Sequence, residues 1–494
     1  MKERILSLFL ILALLLGLTA CSDSKKESTD VSLPAASSTS EILFPQSGDL
    51  NATALSTENF SISKGEMVYF FALSVSDFLS YYYDYINYIG LDPAKSFKEQ
   101  KSMYGENNES WFDFFLADAR AYAEDYLLFC EKGKAMGLEL DEEDQKYIDT
   151  QKKILEDEAA PYGWNIDTYL QQLYSTTIEW KYMESGLRIT RLAQKTYQKL
   201  IGDHAFTDAE IEAEYLADKK NYSLVDYYAV DFGDGENIPD EVLEKVRKAL
   251  ASVSSLDDFT AVVKDFLLAT RTTKTLEDAG GLDAYTKKYM SESERLRQKY
   301  ADNEISRWAF DDVTEEGSIF TKDNESTQAP FAYYLLKKPY KDETVTVDIR
   351  HILFLLNSQG GSFADKELAR AEAERVYRQW LSEGAGVDRF ISLCAEYSAD
   401  GNAASGGLYT SVPQGKMVAP FNDWCFDESR KPGDHGIVDT EFGSHIMYFE
   451  KRNIAWEQSV RTALSHRLYD TIRDEQNTET PVTVNDEVLQ SINW

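Results

Sequence analysis

"TVDIRHILFLL", Thr346 to Leu356, has the composition of a strand and carries a histidine at its centre. Well upstream the chain reads "LVDYYAVDFGD", Leu224 to Asp234. Both share Val-Asp followed by a run of aromatic and aliphatic residues, a strand pattern. Where the later stretch has His351, the earlier one has Ala229. The likeness continues downstream. "LDDFTAVVKDF" (Leu256 to Phe266) matches "VDRFISLCAEY" (Val387 to Tyr397), with aromatics at equal spacing. "RWAFDDVTEEG" (Arg307 to Gly317) matches "DWCFDESRKPG" (Asp423 to Gly433). "FAYYLLKKPY" (Phe331 to Tyr340) matches "SHIMYFEKRN" (Ser444 to Asn453). Four blocks in one order predict a duplicated domain, with copies at 221–342 and 343–455. Each copy would be a strand, two or three helices, a turn and a final strand.

The segment before the copies, 59–220, has helical periodicity. "SKGE" (Ser63 to Glu66) and "TDAE" (Thr207 to Glu210) have capping-box spacing and mark two helix starts. "WFDFFLADARAYAEDYLLF" (Trp111 to Phe129) repeats apolar residues at helical intervals. The tail, 456–494, is helical again, and its helix can return to pack on the N-terminal helices.

Residues 1–20 form an export signal: a short basic start, an apolar run from Ile5 to Leu18, then small residues. Residues 21–58, rich in Ser, Thr, Ala and Asp, read as a flexible tether. Without Cys21 three cysteines remain, Cys130, Cys394 and Cys425. Their spacing fits no metal motif, and Cys394 and Cys425 lie in apolar helical patterns as buried thiols. The net charge of −34 argues against a nucleic-acid partner, which needs clustered Lys and Arg. It otherwise speaks for solubility.

The second copy resembles a parvulin-type peptidyl-prolyl isomerase. The residues that carry the resemblance are "RHIL" (Arg350 to Leu353), "YSAD" (Tyr397 to Asp400), "GGLY" (Gly406 to Tyr409), "GKMVAPFNDW" (Gly415 to Trp424) and "KPGDHGIVDTEFGSHIM" (Lys431 to Met447). "LTAC", Leu18 to Cys21, resembles a bacterial lipobox, in which the cysteine is acylated; an ordinary signal peptide with an incidental cysteine is the alternative. With the helical arm, the whole resembles foldase lipoproteins of the PrsA kind, and the duplication is similar to that of SurA-type chaperones. The fold implied is α+β: a helical arm followed by two parvulin-like domains, each a four-stranded antiparallel sheet wrapped by helices, the first degenerate.

The resemblance also implies a site. His351 and His445 would meet on neighbouring strands, with Thr440 nearby, and Asp400 would lie near the reacting carbonyl. Leu408, Met417 and Phe421 would hold the proline ring, with Phe442 at the margin. Other readings stay open for single residues. A histidine on a strand is commonly a core residue, Met417 and Phe421 have ordinary helical spacing, and Asp400 can be a turn residue before Gly401. "GGLY" departs from the family's usual Gly-Asp-Leu-Gly, and one extra residue lies between Leu408 and Met417. No cluster of basic residues follows His351, so no preference for phosphorylated Ser-Pro or Thr-Pro is expected. In the first copy, alignment on the lysines puts Ala332 opposite His445, and counting from Phe266 puts Ala269 opposite Asp400.

The expected activity is peptidyl-prolyl isomerisation, without cofactor or metal. The expected partners are unfolded exported polypeptides and, through lipid on Cys21, the outer face of the cell membrane. The rival reading is a holdase chaperone with catalytically silent domains. A solute-binding lipoprotein would instead alternate strands and helices around a cleft.

Overall fold

The computed structural model describes residues 42–494, apart from 83–84, 105–108, 234–237 and 293–294. The export signal and Cys21 lie outside the described residues. The chain is mixed α+β, with three antiparallel sheets.

The N-terminal region is built on helices. α1 (Lys64–Tyr82) starts at the "SKGE" box, where the Glu66 carboxylate accepts the Ser63 N–H and the Ser63 hydroxyl accepts the Glu66 N–H. Met67 to Leu73 are all buried, because this helix is apolar around its circumference and so takes a central place. Against it pack α2 (Trp111–Ala135) and α4 (Trp180–Tyr197), and α3 (Glu142–Ala159) packs on α4. "TDAE" caps a further helix, Asp208–Ala217.

The expected tether ends before residue 58. Strands β1 (Thr53–Ser56) and β2 (Ser61–Ser63) pair with each other, and β1 also pairs with Thr483–Val484. Leu55 is fully buried, and Phe44 stacks on Trp494 with ring centroids 6.1 Å apart. Local composition could not reveal this, because the partners are hundreds of residues away. The helix Ala455–Glu479 does return to the N-terminal helices: Tyr469 stacks on Phe129 and its hydroxyl donates to Asp125.

The two copies share one topology. In the first, β3 (Ser223–Asp231), β4 (Arg295–Lys299), β5 (Ile319–Asp323) and β6 (Pro330–Lys341) form an antiparallel sheet in the order β4-β3-β6-β5. In the second, β7 (Val345–Leu355), β8 (Leu408–Pro413), β9 (His435–Asp439) and β10 (Gly443–Ile454) take the order β8-β7-β10-β9.

Strand alternation gives each sheet two apolar faces. In the second copy, Ile352, Phe354 and Ile446 pack under α5 (Lys366–Ser382) and α6 (Val387–Tyr397). Ala369, Ala373, Val376 and Trp380 form the buried face of α5. On the other face Val347, Ile349, Met447 and Phe449 meet Phe421 and Cys425 of α7 (Ala419–Phe426). Cys130, Cys394 and Cys425 are buried and unpaired.

By compactness the chain divides in two. One unit joins the residues up to Ala205 with Thr346–Asn453 and Ala463–Trp494; the other is Phe206–Val345 with Ile454–Thr462. Within the first unit α6 packs on α3. Among the described residues no helix is long and apolar enough to cross a membrane.

Candidate active site

His351 sits mid-β7 and His445 near the start of β10, strands that are neighbours in the sheet. Both side chains are buried, and their Nδ1 atoms lie 3.1 Å apart. The rings stack at 5.3 Å between centroids, and Phe421 presents to both at nearly a right angle.

The surroundings assign the protons. The Phe442 N–H donates to Thr440 Oγ1, so that hydroxyl must place its own proton elsewhere. His445 Nε2 is 2.9 Å away, against 3.5 Å for the Gly443 carbonyl. With Thr440 donating to Nε2, His445 donates from Nδ1 to His351 Nδ1 and the remaining proton stands on His351 Nε2; the other tautomer reverses the chain. That nitrogen lies 3.6 Å from Asp400 Oδ2, an electrostatic contact rather than a full hydrogen bond.

Asp400 is held by the loop that follows α6. Its neighbour Ala399 donates its N–H to the Leu353 carbonyl, and Ser398 Oγ accepts the N–H of Leu353. The loop is thus pinned on β7 two residues from His351. Burial pushes the Asp400 carboxyl up, but the pull of His351, the Asn402 N–H and the Tyr409 hydroxyl together bring it down to about 2. Burial, and next the neighbouring His351, lower His445 to about 3. The site therefore pairs a fixed carboxylate with a neutral His445 imidazole.

Gly407 approaches the other edge of β7. The His351 N–H donates to its carbonyl at 2.9 Å. Its φ is +67°, and a β-carbon there would stand 2.2 Å from the His351 oxygen, so only glycine fits. Arg350, quoted in the "RHIL" motif, reaches away from the imidazoles, binds Glu450 and donates to the Gly406 carbonyl at 3.0 Å.

The extra residue expected between Leu408 and Met417 is a β-bulge. Val347 pairs with Val412 and Ile349 with Tyr409, so Thr410 and Ser411 together oppose Asp348. Ser411 takes φ 53°, and its N–H donates to Asp348 Oδ1 at 2.7 Å. The bulge decides which side chain faces the imidazoles. Leu408 pairs with Arg350 and shares its face, opposite the imidazoles, so it does not join the proline pocket as the resemblance implied. Tyr409 is there instead. Its ring stacks on His351 at 5.3 Å, and its hydroxyl donates to Asp400 Oδ1 at 2.9 Å. The sequence signal was the departure of "GGLY" from the family pattern.

Met417 and Phe421 do lie on the imidazole face, Phe421 buried and Met417 half-buried beside it. Phe442 stands on the β9–β10 turn, 37% exposed.

Among the described residues the first copy shows no such constellation. Ala229 faces Val225, Tyr227 and Leu335, with Tyr333 and Trp308 packed against them. Ala332 pairs with Val230 and points to the opposite face, so it is not the counterpart of His445. Phe331 and Tyr333 lie on the face of Ala229, Tyr333 directly opposite it. The ladder breaks register between the pairs Leu335–Tyr227 and Lys337–Asp226, so a count from Lys338 crosses an irregular step. A one-residue slip exchanges the faces of a strand. Ala269 is not the counterpart of Asp400 either: it is an exposed residue within the helix Leu256–Thr270, whereas Asp400 lies beyond the end of α6.

Residues 333–452 match the family model of the PPIC-type PPIASE domain. The chain thus carries a parvulin-type peptidyl-prolyl isomerase domain, and the matched stretch is the copy that holds the histidines. Among curated proteins the chain has no match. Among solved structures it is similar to the peptidylprolyl isomerase PrsA from Bacillus anthracis, at 15% identity and a TM-score of 0.19, over 55% of this chain and 95% of that one. PrsA from Bacillus cereus is similar at 16% identity and a TM-score of 0.21, over 51% and 86%. A structure of SurA-like chaperones from Campylobacter jejuni is similar at 17% identity and a TM-score of 0.15, over 56% and 92%.

Proposed function

We propose that the chain is an extracytoplasmic foldase, held at the membrane by lipid on Cys21, whose second copy isomerises X-Pro bonds in exported polypeptides. One observation carries this reading. In the domain matched to the isomerase family, an ionised carboxylate, two facing imidazoles and the Phe421 ring converge on one face of the sheet.

The chemistry needs little more. An X-Pro bond prefers trans by only about 0.5–1 kcal/mol, yet it interconverts over tens to hundreds of seconds. The barrier of about 18–20 kcal/mol is mostly lost amide resonance. Lowering it by about 4 kcal/mol accelerates the step roughly a thousandfold. A site achieves this by binding the twisted amide better than either planar form. Phe421 and Met417 supply the apolar seat for the proline ring, with the Tyr409 ring as a wall. Asp400 sets negative charge near the carbonyl, disfavours charge on its oxygen, and so weakens the double-bond character of the C–N bond. The histidine pair moves no proton. It fixes the floor of the pocket through one chain of hydrogen bonds.

A second reading, a holdase that binds chains without catalysis, has its own support. Tyr81, Tyr85, Tyr88, Met103 and Tyr104 stand exposed on the helical region. Refolding of a proline-limited protein separates the two. A catalyst accelerates the slow phase at substoichiometric amounts, whereas a holdase must be present in equal or greater amount.

A further inference from the structure

We propose that Tyr409 is a positioning residue for the isomerisation, its hydroxyl fixing which oxygen of Asp400 faces the reacting amide. The proposal rests on reading the second copy as the isomerase site.

Asp400 has two oxygens with different surroundings. Oδ1 accepts the Tyr409 hydroxyl at 2.9 Å and the Asn402 N–H at 3.1 Å. Oδ2 faces His351 Nε2 at 3.6 Å, beyond full hydrogen-bond distance. Two donors on one oxygen stop the carboxylate from rotating about its bond to the β-carbon. The less satisfied oxygen is then the one presented to the histidine and the pocket. The charge is held in one orientation before substrate arrives, which is where an electrostatic contribution to catalysis comes from.

Tyr409 is itself held twice. Its ring lies nearly parallel to that of His351, at 25°, so the hydroxyl cannot swing away without uncovering the imidazole. The bulge at Thr410 and Ser411, tied by the Asp348 carboxylate, keeps this residue on the inner face. A leucine in the same place, as the resemblance implied for Leu408, would line the pocket but could donate nothing to a carboxylate. The hydroxyl is therefore a separate contribution of this chain. Burial and the Asp400 charge push the phenol well above its ordinary value, so it stays a donor across the working pH range.

The test is Tyr409→Phe in the full chain, which keeps the ring and deletes the hydroxyl. On an Ala-Pro peptide kcat should fall about 3- to 10-fold while KM stays within about twofold. The Asp400 carboxyl, followed by carbon NMR, should titrate about one pH unit higher. In an Asp400→Ala background, removing the hydroxyl should change kcat no further. Tyr409→Leu, which loses the ring as well, should also raise KM. A Tyr409→Phe protein with wild-type kcat and an unmoved Asp400 titration overturns the proposal and leaves the isomerase reading standing. A wild-type chain with no activity on the peptide overturns both.

Discussion

The Nδ1 atoms of His351 and His445 face each other at 3.1 Å with one proton between them. At this distance they cannot both carry a hydrogen, so the pair cannot become doubly charged without moving apart. His445 is 4% exposed and lowered to about 3 by burial and by His351. In an unfolded chain the same imidazole titrates near 6.5. Between those values the unfolded state binds the extra proton, so folding stability falls as pH drops from about 6.5 towards 3. Asp400, lowered to about 2, contributes stability above about 3.9 and loses it only as pH falls further. Urea midpoints measured from pH 7 to pH 4 should therefore decline, and His445→Gln should flatten that decline. An equal slope in the variant would show that the imidazole does not govern it.

On the proposed mechanism, Asp400→Ala should lower kcat/KM on an Ala-Pro peptide at least about tenfold, by removing the charge set near the carbonyl. Phe421 needs a gentler change. It is 3% exposed, and truncation to alanine would cost about 3–5 kcal/mol of stability. Phe421→Leu keeps most of the volume and should raise KM several-fold. Wild-type kinetics for both variants would place the site elsewhere.

Because the first copy presents Ala229, Phe331 and Tyr333 on the face where the second presents its histidines, it should contribute no turnover. The full chain carrying Asp400→Ala together with Phe421→Leu should lose the product of the two single losses in kcat/KM on the peptide. A double variant held at a floor above that product would mean that the first copy is active.

Gly407→Ala should both destabilise and inactivate. The left-handed backbone alone costs about 1–2 kcal/mol for a residue with a β-carbon, and here that carbon would press on the His351 carbonyl. A loss of at least about 2 kcal/mol is expected, with a parallel loss of activity. A variant of unchanged stability would show that the β7 edge yields easily.

On the proposed lipid anchor, Cys21→Ala should release the protein from the membrane fraction, since "LTAC" resembles an acylation site. Unchanged fractionation would rule out the lipid anchor.

Much of this was legible in the sequence because repeats record topology. Four ordered blocks marked two copies, and the sheets have the same strand order. The histidines could be placed together because the family resemblance supplied strand adjacency. What stayed hidden has two physical sources. Strand faces change with every single residue, so the irregular ladder of β6 misassigned Ala332, and the bulge in β8 exchanged Leu408 for Tyr409. Contacts across hundreds of residues leave no local trace, so the pairing of Thr53–Ser56 with Thr483–Val484 did not show in a segment that reads as tether.

That distant pairing sets an order of events during synthesis. Gln46 donates to the Asn493 carbonyl across 447 positions, and the Phe97 N–H donates to that of Trp494. Trp494 also lies 5.1 Å from Phe71, in the middle of α1. A chain emerging from its N-terminal end exposes the aromatic helices first and receives their covering segment only after both repeats have been made. The region begun earliest is therefore completed latest. Its apolar helices wait for residues 483–494, while each repeat can close on strands that lie within its own span.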